Sequence, residues 1–550
     1  MIRRVVIRRF KRFDEVVFDL PGHIVLAGPN NTGKTTMLQA VAAWNLALDR
    51  WKRLNDFNPR NHGYTKAPVT RQTFSAVPLR AFEFLWNERR YQTSAPIEIE
   101  IHHTAGWKVT MELIADSTEQ IYVRPKSDVP AAMLREADLR TAFVPPMTGL
   151  STDEPVYQRP KLDQLLGQGR PGEIIRNLLV EAHQSETAWR DLTASMQRLF
   201  GCEVLPPDAS GADIIAEYQM GGSETKLDIA SAGSGFQQVL MLLTFLNTRP
   251  GAVLLLDEPD AHLHVLLQDA IYSELRSVAA RQQSQLIVAT HSEVIINSVE
   301  PCELCVLFNQ PRCVTDEGER TKLARSLGIL TDTDIMLALG SPGVLYLEGH
   351  TDLNILREWA RILDHPVKDA LATRIFWRPT VWETRLGARG ITAREHYDAL
   401  KLVRDDLPGL VILDGDDNPN IQPTPLTGQG LQRVRWRRYE IESYLIHPTA
   451  LARYVGKKIG DDAVGLYLAD LEKYFADNFP PAVVRDPLGD HAFLNSTKAR
   501  ADIIPPALAA AGLHGIPYTD YHEIAALMQP EEIHPEVKEK LDALQRAFNL

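Results

Sequence analysis

The sequence predicts an α/β chain: two parallel-sheet domains in series, the first interrupted by an insertion, and a largely helical tail. Three observations predict it. The loop GPNNTGKTT, residues 28–36, lies between an apolar strand (HIVLA) and a helical run (KTTMLQAVAAW). AVLLLDEP, residues 252–259, is an apolar strand that stops on two acids. GVLYLEGHTD from 343 and LVILDGDD from 410 share one form: a buried run, an acid at the tip, then glycine. Short apolar runs bounded by glycine read as strands covered on both faces, as a parallel sheet requires.

The elements follow in order. VVIRRFKRF and VVFDL alternate as half-buried edge strands do, and HIVLA is the core strand after them. Residues 34–49 turn helical. Residues 96–124 (IEIEIHH, WKVTMELIA, QIYVRP) alternate again and predict an antiparallel meander. Residues 130–200 read as helical, broken by a loop at FVPPMTGLSTDEP. A second core begins near 227, with strands at 252–256 and 286–290, and 301–341 read as a mixed connector. VLYLE opens a new domain at 344, and the tail from about 450 is helical with proline-rich joints. The expected domains are 1–340 with an insertion at about 50–225, then 341–450, then 451–550.

Composition narrows the function classes. The 550 residues suffice for three or four folding units. No run approaches the ~18 apolar residues that a membrane span needs, and MIRRVVIRRF has no apolar core of a secretion signal. Four cysteines make no disulfide framework. Cys302, Cys305 and Cys313 cluster, but a zinc site needs a fourth ligand, so strand-buried thiols in a reducing cytoplasm are the expectation. A net charge of -12 argues against coating nucleic acid by bulk charge and leaves room for a local basic groove.

The loop at 28–36 fits G-x-x-x-x-G-K-[ST] at Gly28, Gly33, Lys34 and Thr35, in the strand-to-helix context that the motif needs. Its glycines let backbone N–H groups, with Asn30, Asn31 and Thr36 in the loop, face phosphate at a helix N-terminus. Lys34 is expected on the β/γ phosphates of ATP and Thr35 on Mg²⁺. Asp257 at the tip of AVLLLD is expected on the metal's water shell, and Glu258 on the attacking water. Two further pieces follow the same order: SAGSGFQQVL at 231–240, where Ser234 and Gly235 open a helix, and VATHSEVII, with His291 after a strand. This order resembles the ABC-type ATPase heads of the SMC, Rad50 and RecF kind. The resemblance implies a homo-oligomer joined through its heads, in which Ser234 and Gly235 close over ATP held by the other subunit and His291 senses the γ-phosphate in cis. It makes Gln72, in VTRQTF, a candidate metal-contacting glutamine. The long heptad arms of Rad50-like heads are missing.

The second acidic pair raises a separate chemistry. In a parallel sheet neighbouring strand tips meet on one edge, so Glu348, Asp352, Asp414 and Asp416 are expected to converge on one or two divalent ions. Oxygen ligands favour Mg²⁺ or Mn²⁺ over zinc, and such ions activate water for phosphodiester cleavage. The E-G…D-x-D pattern over 342–450 resembles the Toprim fold, and YEIESYL adds Glu440 and Glu442 as further candidate ligands. Arg374, Arg378, Arg385, Arg389 and Arg394, then Arg433, Arg435, Arg437 and Arg438 around Trp436, predict a phosphate-binding patch with a stacking aromatic. An ABC-type head followed by a Toprim-like domain resembles the OLD (overcoming lysogenisation defect) family, which includes the Gabija nuclease subunit, or a fused form of the PARIS pair. The resemblance implies nucleotide-controlled cleavage of DNA or RNA in anti-phage defence, with a possible partner protein. A non-cleaving ATPase clamp or sensor is the alternative.

Overall fold

The structure is a computed structural model that describes residues 1–57, 63–146, 149–167, 170–222, 224–308, 310–382, 390–415, 430–459 and 464–550. It divides into two compact units, Met1–Leu327 and Gly328–Leu550.

The strands of the first unit are β1 (Ile2–Phe10), β2 (Phe13–Asp19), β3 (Ile24–Ala27), β4 (Ala67–Thr70), β5 (Ile97–His103), β6 (Lys108–Ala115), β7 (Gln120–Pro125) and β8 (Thr141–Val144). They continue as β9 (Cys202–Val204), β10 (Glu217–Met220), β11 (Lys226–Asp228), β12 (Val253–Asp257), β13 (Gln285–Thr290), β14 (Leu304–Leu307) and β15 (Pro311–Cys313). An antiparallel sheet runs β2-β1-β5-β6-β7-β4 and contains the expected meander as β5, β6 and β7. The core sheet runs β15-β14-β3-β13-β12-β8, and only its edge strand β15 is antiparallel. Helix Lys34–Leu54 buries Met37, Leu38, Val41, Trp44, Leu48 and Trp51 in a core that includes residues of both sheets. Trp44 stacks on Trp107 with ring centroids 5.8 Å apart.

Two expectations are corrected here. Residues 141–144 are strand β8, not a break in a helical stretch, and pair parallel to β12. TAFV is four residues long and runs into Pro145, too short for its period to show. Residues 304–307, read as connector, are β14, which pairs parallel to β3. Cys305 and Cys313 face one another across β14 and β15, and all four cysteines are free thiols.

The second unit is built on β16 (Val344–Leu347), β17 (Phe376–Pro379), β18 (Val381–Trp382), β19 (Ile391–Thr392), β20 (Gly409–Leu413) and β21 (Leu431–Arg435). A four-stranded sheet runs β17-β16-β20-β21, and every pair in it is parallel. The chain moves from β16 outward to β17 and returns to β20 on the other side, so the connection reverses between β16 and β20. That reversal opens a crevice at the carboxyl ends of the two strands. Leu345, Leu347, Leu410 and Ile412 face one core, and Val344, Tyr346 and Val411 face the other, as the period of two demands. Among the described residues, those after 450 share a core with the sheet, Tyr454, Leu471, Leu508 and Leu541 among them. No helix among the described residues is long and apolar enough to cross a membrane.

Candidate functional site

Each unit carries one candidate site. In the first, β3 ends on Ala27 and the chain turns through Gly28–Gly33 into helix Lys34–Leu54. Gly28 and Gly33 have φ of 152° and 109°. A side chain at Gly28 would strike the carbonyl of Leu307, and one at Gly33 the ring of Phe13, so both positions demand glycine. Asn31 takes φ 61°, and it and Asn30 stand exposed at the loop crest, with Thr36 half-buried. Lys34 Nζ donates to the carbonyls of Gly28 and Pro29 at 2.5 and 2.9 Å.

Thr35 Oγ1 donates to Asp257 Oδ1 at 2.9 Å, joining motifs 222 residues apart. Burial pushes the Asp257 carboxyl up to about 6, against the pull of the Thr35 hydrogen bond. Glu258 follows at φ 48°, a left-handed backbone rare for a side chain of this size. Its Oε1 lies 3.4 Å from His291 Nδ1. The contact with His291 holds Glu258 below the usual carboxylate range, and the same contact raises His291. Behind them Thr290 Oγ1 donates to buried Asp260 at 2.6 Å and accepts the Ser292 N–H at 2.9 Å. Sequence reasoning missed this backing layer, although T-H-S directly after a strand carried its signal. Ser234 and Gly235 open helix Ser234–Thr248, with Ser234 exposed. Gln72 is exposed in the turn Arg71–Thr73 that follows edge strand β4, and no described contact ties it to Thr35 or Asp257.

In the second unit Glu348 follows β16 and Asp414 follows β20. The parallel register Tyr346↔Val411 brings both to the same edge. Gly415 is forced: a Cβ there would strike the Arg438 carbonyl and lie 2.7 Å from that of Trp436. The Asp414 Oδ1 accepts the N–H of Ile441 at 3.2 Å. After β21, the 3₁₀ helix Ile441–Leu445 sets Glu440 and Glu442 on this edge, 4% and 1% exposed. Asp352 caps the helix His350–Ile362: its Oδ2 accepts the N–H groups of Glu348 and Gly349 at 3.2 and 3.4 Å. Asp416, Arg385 and Arg389 lie outside the described residues.

These acids act on one another. Burial, then the charges of Glu348, Asp352, Glu442 and Glu440, push Asp414 up to about 9. Burial and Glu440 push Glu442 up to about 7. Glu442 Oε1 is buried with no hydrogen-bond partner. An all-oxygen donor set with an orphaned carboxylate oxygen fits a hard divalent cation. Among the described residues, however, no group of three or more His, Cys, Asp or Glu side chains is arranged to hold one.

The basic patch is corrected in part. Trp436 is buried against Tyr444, with ring centroids 4.8 Å apart, and offers no face to a base. Arg438 is buried and donates to the carbonyls of Ser443, Pro487 and Gly489. Arg378 pairs with Asp334, Arg394 with Asp398 and Arg437 with Glu539. Arg435 Nε donates to the Asp414 carbonyl at 2.9 Å. A cation that sequence reasoning missed stands at the acids instead: Arg500, whose N–H donates to Glu440 Oε1 at 2.5 Å. It is 60 residues downstream of Glu440, with no motif around it, so nothing local marked it.

Residues 151–297 match a family model described as an AAA domain, putative AbiEii toxin, Type IV TA system. The match spans Ser234, Asp257, Glu258 and His291, and covers less than half of the chain. No curated protein matches the chain in sequence. Among solved structures, the chain is similar to an SmcHead bound to the C-winged helix domain of ScpA: 14% identity, TM-score 0.35, covering 56% of this chain and 93% of that one. It is similar to the SMC head domain from Thermotoga maritima at 13% identity and TM-score 0.32, covering 57% of this chain and 99% of that one. An Smc head with an extended coiled coil, bound to a ScpA domain derived from Pyrococcus furiosus, gives 12% identity and TM-score 0.34, covering 56% and 92%. The glycine loop, the Thr35–Asp257 bond and the family match together make the first unit a P-loop ATPase-type domain.

Proposed function

We propose that this chain is an ATP-controlled, divalent-metal-dependent nuclease whose two sites lie one in each unit. The single observation that carries the second site is that Glu348 and Asp414 end adjacent parallel strands on one edge, with Glu440 and Glu442 behind them. In the ATPase unit, Lys34 and the loop N–H groups bind the β/γ phosphates of ATP. Thr35 and Asp257 would hold Mg²⁺, which supplies charge neutralisation on those phosphates. Glu258 orients the attacking water and accepts its proton, and His291 fixes the Glu258 carboxylate. Exposed Ser234 and half-buried Gly235, at their helix start, complete the site of a second copy.

In the second unit Glu348, Asp414 and Asp416 would hold Mg²⁺ or Mn²⁺, which lowers the pKa of bound water and stabilises the leaving oxygen. Glu440 and Glu442 back them. The substrate is DNA or RNA and the setting anti-phage defence. The Toprim and OLD resemblances belong to this reading.

The test is cleavage of labelled single- and double-stranded DNA and RNA with Mg²⁺ or Mn²⁺, with and without ATP. Wild type is expected to cut, Asp414→Ala to lose at least about 10²-fold in rate, and Lys34→Ala to lose the response to ATP. Equal cutting by Asp414→Ala removes the nuclease reading. One observation favours a non-cleaving ATPase sensor as the second reading: no three described side chains already stand in ligating arrangement. That reading predicts ATP-dependent association with nucleic acid or a protein and no scission.

A further inference from the structure

Five acids crowd the carboxyl edge of the second unit's sheet, and a phosphodiester carries the same charge they do. Where no cation is bound, a nucleic-acid strand approaching the ionised ones meets repulsion, which positive charge supplied by the chain at the mouth offsets. The cations that face Glu440 among the described residues are Arg500 and Lys498. Both come from residues 498–503, in the C-terminal region to which no motif assigns a role. Arg500 is tied down at three points. Its backbone N–H donates to Glu440 Oε1 at 2.5 Å. Its Nη1 stands 3.9 Å from Glu442 Oε1, the buried oxygen that has no hydrogen-bond partner. Its guanidinium lies over the ring of Tyr518, 5.4 Å from the centroid. Yet the side chain remains 47% exposed.

This is not the geometry of a satisfied structural arginine such as Arg438, whose donors end on three carbonyls inside the protein. Arg500 is too far from Glu442 for a hydrogen bond, so its planar donors stay open to an incoming acceptor. Stacking on Tyr518 removes much of its rotamer freedom before anything binds, which lowers the entropy cost of binding. A guanidinium presents paired donors that match two oxygens of one phosphate.

We propose that Arg500 is the phosphate-binding residue of the second site, holding a phosphodiester of the bound strand against the edge formed by Glu348, Asp414 and Glu442. Lys498, beside it over Tyr439 at 5.9 Å, takes the neighbouring phosphate. The proposal rests on the nuclease reading and gives residues 498–518 a function: they close the acidic edge with a fixed cation that selects polyanionic strands.

The experiment measures binding without cleavage. Fluorescein-labelled DNA and RNA 20-mers, single- and double-stranded, are titrated with full-length protein in EDTA, read by anisotropy over a series of salt concentrations. Arg500→Ala is expected to weaken binding of the preferred strand at least 10-fold and to lower the slope of log K against log salt by about 0.7–0.9. Arg500→Lys, which keeps the charge but not the fork or the stack, is expected to keep that slope and lose about 3-fold in affinity. Thermal melting establishes that each variant folds, and Arg500→Lys carries the test if the alanine variant does not. Arg500→Ala binding as wild type does, or wild type binding no strand, overturns the proposal. Calorimetry with Mn²⁺ on wild type and Asp414→Asn separates the two readings. No Mn²⁺ uptake by wild type sinks the nuclease reading; uptake with an Arg500 variant of unchanged strand affinity sinks only the role of Arg500.

Discussion

Asp414 shows how much one residue's surroundings can demand. Its carboxyl is buried among four other acids and is pushed up to about 9. In the unfolded chain it titrates near 3.8. The folded state therefore holds a proton that the unfolded state gives up. That contribution to stability is complete below the unfolded value and drains as pH rises through the folded one. Asn carries no such proton. In EDTA, Asp414→Asn should melt above wild type, and the gap should widen between about pH 5 and pH 9. A gap that stays flat across that range would show that the acids do not share one field. Added Mn²⁺ should close the gap by stabilising wild type alone. At this scale the sequence was informative where a motif compresses the chemistry into consecutive positions. Lys34 and Thr35 were named from the glycine loop that carries them, and Asp257, Glu258 and His291 because each lies at, or one residue past, a strand end. Arg500 and Asp260 were not, because their partners come from distant chain segments and no spacing records the approach.

Between strands, the glycines do as much as the acids. Gly415 lets the chain leave β20 under the carbonyls of Trp436 and Arg438, and that passage places Asp414 beside Ile441. Gly415→Ala should cost about 1–3 kcal/mol, seen as a lower melting transition for the second unit by calorimetry. A variant that melts with wild type would mean that the tip of β20 can shift freely, and the carboxylate edge would lose its fixed geometry. The elements that sequence analysis read correctly are the long or fully apolar ones: the meander of β5 to β7, β12, β13, β16 and β20. β8, β14 and β21 were not read as strands. β8 (TAFV) and β21 (LQRVR) mix polar with apolar residues over four or five positions, too few for a period to show, and β14 (LCVL) lies inside a stretch read as connector. Their place in a sheet is decided by pairing with β12, β3 and β20 rather than by their own propensity.

For the molecule as a whole, the first unit's open site has a consequence for assembly. Ser234 stands exposed at its helix start with Gly235 half-buried beside it, and in the proposed mechanism they serve the nucleotide of a second copy. Glu258→Gln should bind ATP and hydrolyse it slowly, by about 10²–10⁴-fold. Light scattering after gel filtration should show its mass doubling with ATP and Mg²⁺ and not with ADP, and Ser234→Arg should abolish the doubling. A mass that ignores ATP would separate the fold from the head-to-head assembly implied by its motif order. In the second unit, a domain at 341–450 followed by a helical region at 451–550 was expected. Tyr454, Leu508 and Leu541 share one hydrophobic core with Leu345, Leu347, Leu410 and Ile412. A gene fragment stopped at codon 450 would leave those leucines wet and should precipitate on expression. An engineer who lifts this sheet out to graft it elsewhere therefore needs 328–550 in full.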